Sequence, residues 1–242
     1  MYGNTAMWFA LFAASWLAAT ISGAAGFGGA LLLLPVMTHV LGPRLAVPLL
    51  TVAQLLGNLS RAGFGCNQIR WRPVGYFVLG AVPASVVGSR VFVALPKEHI
   101  TTGIGMLLIL FVLARRLGKL TLSVPEKSLV FGGALVGFLS AVVGSAGPLG
   151  AALFLGLQLP SVAYVASEAV TAVAMHVTKL IVYGRYALIS VNDIGPGLFL
   201  GAAMVLGSWT GKRIIERLPR ARFVSLVEAL MVLSALQLIL VK

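Results

Sequence analysis

The sequence has few charged residues, and their spacing determines the class of protein. Only 10% of its 242 residues are Asp, Glu, Lys or Arg, whereas a soluble globular domain has about 25%. No charged residue precedes Arg44, and none lies between Lys127 and Glu168. Apolar runs of this length are typical of membrane-spanning helices. The sequence therefore excludes a soluble fold and predicts an all-α, polytopic membrane protein.

Acidic residues and cysteine are also scarce. Six Asp and Glu stand against 18 Lys and Arg, which gives a formal net charge of +12. In a soluble protein this balance would suggest a nucleic-acid ligand, but in a membrane protein most of the excess lies in loops that face anionic lipid and the cytoplasm. We expect the lipid bilayer as a partner and no nucleic acid. The single cysteine, Cys66, excludes an intramolecular disulfide.

Signatures of enzymes and metal sites are missing as well. The sequence contains no H-E-x-x-H, G-x-S-x-G or Walker motif, and no Cys/His cluster with metal-ligand spacing. The Gly-Phe-Gly-Gly stretch at residues 26–29 resembles part of a dinucleotide-binding loop, but it is flanked by apolar helix and follows no strand. We predict no enzymatic activity, no metal and no cofactor.

The second half of the sequence repeats landmarks of the first half in the same order. Such internal duplication is typical of secondary transporters. It predicts two homologous halves, residues 1–117 and 128–242, joined by a polar linker at 118–127. Counting basic residues on each side favours halves that are inverted in the membrane. The aligned landmarks are 22–29 with 140–147, Asn58 with His176, Arg61 with Lys179, and 84–90 with 207–213.

Each half begins with an apolar segment that is too long for one membrane helix. Residues 7–41 as a single helix would extend about 52 Å at about 1.5 Å per residue, whereas the hydrocarbon core is about 30 Å thick. The glycine cluster must interrupt this helix, and irregular backbone is tolerated where it lines a cavity. We predict a Gly-broken or re-entrant helix pair in each half, together with three spanning helices.

The two glycine-rich breaks are candidate anion sites. Where a helix begins after a flexible turn, its first N–H groups lack intrahelical partners and carry the positive end of the helix dipole. Such a terminus binds anions through the backbone. Tight packing of helices through small residues is the alternative. The predicted binding turns are Gly26, Phe27, Gly28 and Gly29 in the first half and Gly144, Ser145, Ala146 and Gly147 in the second.

Two predicted membrane helices each carry polar side chains on one face, as their helical spacing shows. Ionisable groups at membrane depth are costly and usually mark a substrate or ion path. Because Arg61 and Lys179 are aligned in the repeat, the folded halves would present two cations to a small anion. Snorkelling of both side chains to the lipid headgroups is the alternative. The predicted binding side chains are Asn58, Arg61, His176 and Lys179, and Gln54 and Glu168 share their faces.

Glu168 has no acidic counterpart in the first half, where Leu50 is the aligned residue. A carboxyl group in a site of low dielectric constant can carry a proton. We therefore predict that Glu168, together with His176, couples transport to protons. A static salt bridge from Glu168 to Lys179 or another basic residue is the alternative.

Several short motifs occur in an order typical of one family. A Gly-x-Gly-Gly turn at 26–29 follows the first apolar segment, Pro35 lies six residues after it, and Ile69-Arg70-Trp71 opens a later helix. With the repeated second half, this pattern resembles the TauE/SafE sulfite exporter family over essentially the whole chain. Two features depart from the family pattern. Ala30 replaces a third glycine found in many members, and the second turn reads Gly-Ser-Ala-Gly.

The resemblance implies a multi-pass carrier of the bacterial inner (cell) membrane that moves sulfite, sulfonates, other sulfur oxyanions or small carboxylates, with the glycine turns as binding motifs. We predict a secondary transporter, an exporter of small sulfur-containing anions such as sulfite or sulfonates, with proton coupling as one option. The alternatives are a small-carboxylate (oxalate or lactate) transporter, an anion channel, and a sulfur-handling partner that uses Cys66 as a thiol relay. The sequence is also compatible with a homodimer.

Overall fold

The structure is a computed structural model that describes residues 5–94, 125–143, 146–186, 191–219, 221–226, 229 and 232. These residues form helices and no strand, so the predicted all-α fold is confirmed. The helices are α1 (Thr5–Ala25), α2 (Gly29–Leu41), α3 (Pro43–Phe64), α4 (Trp71–Ala94), α5 (Leu129–Val143), α6 (Gly147–Gly156), α7 (Ser161–Arg185) and α8 (Val191–Ile215), with short 3-10 helices at Cys66–Gln68 and Glu126–Ser128.

Within the described residues, five helices are long and apolar enough to cross a membrane, namely α1, α3, α4, α7 and α8. The outer surface of the helix assembly carries large apolar side chains, with exposed fractions of 81% at Phe131 and 68% at Leu79. Charged side chains such as Arg61 and Lys179 are buried instead. An apolar exterior around buried charges suits a lipid environment. The protein is therefore a polytopic membrane protein, as predicted.

The first predicted helix break lies at the glycine cluster. Helix α1 ends at Ala25 and α2 begins at Gly29. Between them, Gly26 and Gly28 have φ angles of 88° and 101°, a region that residues with a Cβ atom rarely adopt. A methyl group on Gly26 would also lie only 2.5 Å from Cε1 of Tyr164. The chain therefore leaves the helix here because glycine permits a turn that other residues resist.

The second break lies where the sequence aligns with the first. Helix α5 ends at Val143 and α6 begins at Gly147; Gly144 and Ser145 lie outside the described residues. Helix α6 has 10 residues, about 15 Å of helix, and α2 has 13, about 20 Å. Neither helix alone crosses a hydrocarbon core of about 30 Å, so both are short helices that follow a break.

The two predicted halves contact each other through helices that approach closely. Helix α1 packs along α8, α5 packs along α4, and α3 packs against α7 and α8. Glycines permit the contacts: a methyl group on Gly133 would meet the backbone of Phe77, and one on Gly207 would meet the backbone of Trp16. Small residues at such crossings are typical of membrane proteins. Helices α3 and α7, one from each half, therefore lie side by side inside the assembly.

Parts of the predicted domain division fall outside the described residues. Most of the predicted linker at 118–127 does so, and so do the third spanning helix of the first half and most of the last apolar segment of the second. The division into 1–117 and 128–242, and the inversion of the halves, stay predictions.

Candidate functional site

The two helix breaks meet at one small buried cavity. A methyl group on Gly147 would lie 3.4 Å from Cβ of Phe27 and 3.8 Å from the backbone nitrogen of Gly28. The cavity holds about 40 Å³ of free space, which is room for about three water molecules or one anion of a few heavy atoms. The lining residues are Phe27, Gly28, Gly29, Ala30, Gln54, Asn58, Arg61, Ser140, Ala146, Gly147, Glu168, Ala172, Met175 and His176.

The start of α2 directs backbone donors toward this cavity. The first hydrogen bond of the helix runs from the Leu32 nitrogen to the Gly28 oxygen, at 3.0 Å. The N–H groups of Gly29 and Ala30 precede it and have no partner within the helix. Both residues line the cavity. The positive end of the α2 dipole therefore lies at the cavity wall.

The start of α6 contributes from the second half. Ala146 precedes the helix, and its carbonyl accepts hydrogen bonds from the nitrogens of Leu149 at 3.1 Å and Gly150 at 3.3 Å. Pro148 has no N–H, and its fixed φ angle suits the first turn of a helix. Gly147 is therefore the residue of this turn whose N–H is not used by the helix, and it lines the cavity.

Arg61 braces the first glycine turn. Its Nη1 donates to the carbonyl oxygens of Ser22 at 3.0 Å and Gly26 at 2.6 Å, and its Nη2 donates to Oδ1 of Asn58. Ser22 lies in the last turn of α1 and Gly26 directly follows the helix, at the end that carries the negative pole of the helix dipole. A cation there stabilises the helix end. Because the guanidinium points into the protein, it does not snorkel to a lipid surface.

Glu168 faces Arg61 across the cavity. Its Oε2 lies 3.8 Å from Nη2 of Arg61, and both side chains are almost fully buried. The same oxygen has no hydrogen-bond partner among the described residues. The carboxylate therefore pairs with Arg61 and leaves hydrogen-bonding capacity unused. Within the described residues this partner is Arg61 and not Lys179.

Lys179 lies behind the cavity wall. It is fully buried, and its Nζ donates to Oγ of Ser140 at 3.2 Å. Ser140 lines the cavity, but Lys179 does not. The two basic residues that the repeat aligns thus differ in position: Arg61 lines the cavity, whereas Lys179 contacts it through a hydroxyl group.

Most of the predicted site residues come together. Nine of them line the cavity, including Glu168, the predicted coupling residue. Gly26 lies directly behind it and accepts the hydrogen bond from Arg61. Gly144 and Ser145 lie outside the described residues. The nine lining residues are Phe27, Gly28, Gly29, Asn58, Arg61, Ala146, Gly147, Glu168 and His176.

Sequence reasoning left Gln54 and Ser140 out of the predicted binding residues. Gln54 lies one helical turn before Asn58 on the same face of α3, so its spacing was the available signal. Ser140 aligns with Ser22 in the repeat, but only the fold places its hydroxyl between Lys179 and the cavity. Cys66 is exposed and does not line the cavity. Within the described residues no group of His, Cys, Asp and Glu could hold a metal ion.

The fold and this cavity define a class of protein: a polytopic helical membrane protein with an internal site between two broken helices. Residues 11–238 match the family described as Sulfite exporter TauE/SafE, and the chain belongs to that family. The resemblance seen in the short motifs is thereby confirmed. Proteins of this family are membrane transporters and not enzymes. No curated protein and no solved structure matches the chain.

Proposed function

We propose that this protein is a secondary transporter that exports small sulfur oxyanions, sulfite above all, across the bacterial inner membrane. The anion would bind in the cavity between the two glycine turns. One observation carries the proposal: the starts of α2 and α6 and the polar faces of α3 and α7 converge on the same buried space. Helix N-termini and basic side chains around a buried cavity suit an anion.

The charges around the cavity support an anionic substrate. Arg61 is a basic side chain in the cavity wall, Lys179 is a second one behind it, and the starts of two helices add partial positive charge. Glu168 contributes one negative charge. The described surroundings therefore have a positive balance, and burial away from water strengthens its effect on a bound anion. A cationic substrate would meet repulsion from most of these groups.

Glu168 supplies a route to proton coupling. Its carboxylate occupies the position beside Arg61 where a bound anion would gain most from the guanidinium. The anion and the ionised carboxylate therefore compete for the same cation. Protonation of Glu168 removes its negative charge and favours anion binding, and by linkage a bound anion favours proton uptake by the site. Each transported anion would then travel with a proton.

Alternating access would follow from movement of the broken helices. In transporters built from repeats, one part rocks against the other around a fixed site near the middle of the membrane. The cavity here is small and is lined by residues of α2 and α3 on one side and of α5, α6 and α7 on the other, so it lies between the two parts that would move. Channels, by contrast, need a continuous path.

Transport by the purified protein in proteoliposomes tests the proposal. We expect sulfite uptake that saturates and that accelerates when unlabelled sulfite is loaded on the opposite side, because a carrier exchanges its substrate. Sulfonates, oxalate and lactate are tested as competitors. A steady single-channel current without counter-exchange would instead identify a channel. Uptake of oxalate or lactate with no response to sulfite would assign the protein to carboxylates.

A further inference from the structure

A buried amide at the cavity has no partner among the described residues. Gln54 is 6% exposed, and its Nε2 makes no hydrogen bond although an amide nitrogen offers two donors. It lies beside the start of α2, because a methyl group on Gly29 would be 3.1 Å from this Nε2. Buried polar groups in folded proteins are nearly always hydrogen-bonded. The unpaired amide indicates a ligand that enters the cavity.

A second unpaired nitrogen comes from α7. Nδ1 of His176 is buried and has no hydrogen-bond partner among the described residues, and the side chain lines the same cavity. An imidazole nitrogen that carries a proton is a donor. The N–H groups of Gly29 and Ala30 at the start of α2 and of Gly147 at the start of α6 also lie at this space, so donors come from four different helices.

We propose that Gln54 binds the transported anion directly and selects anions that carry three or four oxygens on one central atom over carboxylates. This inference rests on the function proposed above. Donor groups on four helices, Gln54 and His176 among them, match a pyramidal or tetrahedral oxyanion whose oxygens point in different directions. The two oxygens of one carboxylate accept hydrogen bonds mainly in a single plane, so donors that approach from several directions are paired less well. Sites that hydrogen-bond their ligand discriminate strongly against ligands that leave such groups unpaired.

The size of the cavity agrees with this selection. Free space of about 40 Å³ fits an inorganic oxyanion, whereas oxalate or lactate carries a second carboxylate or a carbon chain that must also be accommodated. Phe27 and Met175 close parts of the wall with apolar groups. These side chains offer no partner for a second carboxylate.

The test measures the affinities of sulfite, nitrite and formate, because sulfite has three oxygens and the other two anions have two. The proteins are the wild type, Gln54→Leu and a matched control, Thr51→Val. Thr51 is buried on the same helix, but its hydroxyl donates to the carbonyl of Val47 at 2.8 Å within that helix, and it does not line the cavity. Monodisperse elution and a cooperative melting transition establish that each variant is folded.

We expect the wild type to bind sulfite more tightly than nitrite or formate. Gln54→Leu should weaken sulfite binding about 10- to 100-fold, the usual effect of losing a hydrogen bond to a charged group. It should change formate binding less, so that the preference for sulfite falls. Thr51→Val should keep both affinities.

Two results would overturn the inference. One is a folded Gln54→Leu protein that keeps the wild-type ratio of sulfite to formate affinity. The other needs no variant: a wild-type protein that binds sulfite, nitrite and formate equally well does not select anions by their number of oxygens. A wild-type protein that binds none of these anions and transports none contradicts the proposed function itself, and this distinguishes the two failures.

Discussion

Arg61 of α3 donates a hydrogen bond of 2.6 Å to the backbone carbonyl of Gly26, a residue at the end of another helix. The acceptor lies in the turn that ends α1 and precedes the start of α2. A charged side chain from a neighbouring helix therefore holds the backbone that forms one wall of the cavity. Arg61, which is expected to attract the anion by its charge, therefore also holds in place the backbone that lines the site.

Arg61→Lys should impair transport although it keeps the positive charge. A lysine ammonium cannot reproduce the planar fork that contacts Ser22, Gly26 and Asn58 together. We expect sulfite uptake to fall at least about tenfold and stability to fall by about 1–3 kcal/mol, because buried acceptors lose their donor. Uptake by proteoliposomes and melting in detergent measure the two effects. The control is Arg90→Lys at an exposed position of α4. If Arg61→Lys keeps wild-type uptake and stability, Arg61 does not hold the glycine turn in place.

Glu168→Gln should remove the pH dependence of sulfite uptake. The amide has nearly the same shape as the carboxyl group, but it cannot bind and release a proton, so the coupling proposed above is lost. Initial rates over a pH series, with and without a proton gradient, give the measurement. Glu126→Gln is the matched control, since Glu126 pairs with Arg72 at 3.1 Å on the surface. If Glu168→Gln responds to pH as the wild type does, Glu168 plays no part in coupling.

Alanine at the two turn glycines should have different effects. Gly26→Ala forces a positive φ angle and also places a methyl group 2.5 Å from Tyr164. Gly28→Ala has the strained φ angle of 101°, but no atom of the described residues lies within 4 Å of the new methyl group. We expect Gly28→Ala to cost about 1–2 kcal/mol and Gly26→Ala to cost more. Thermal melting ranks them against Gly63→Ala in α3, where no atom of the described part of the chain lies within 4 Å of the Cβ position.

Gly133→Ala should disrupt the contact between α4 and α5. A methyl group there would meet the backbone of Phe77, which cannot move aside as a flexible side chain could. We expect low yield of folded protein or stability reduced by more than about 1–3 kcal/mol, the usual cost of overpacking. Gly75→Ala in α4 is the control, because none of the described residues has an atom within 4 Å of its Cβ position and alanine favours helix. Equal stability of the two variants would show that the helices can separate without cost.

The sequence alone was sufficient for the class of protein and for the helix breaks. Long stretches without charge, such as the one before Arg44, contain too few polar residues to form a helix surface that faces water. Such helices therefore require lipid around them. An apolar segment longer than the membrane is thick, with glycines in its middle, has to be interrupted. Both conclusions depend on local composition and on fixed helix and membrane dimensions, which any chain with this pattern must satisfy.

The tertiary structure decided which polar groups face the cavity. Periodicity places Gln54, Asn58 and Arg61 on one face of α3, but it does not say which groups lie across from that face. The repeat aligns Arg61 with Lys179, yet Arg61 lines the cavity and Lys179 lies behind Ser140. Side-chain environment depends on how helices far apart in sequence pack, through close approaches such as that of Gly147 to Phe27. Long-range packing of that kind leaves no periodic signal in the sequence.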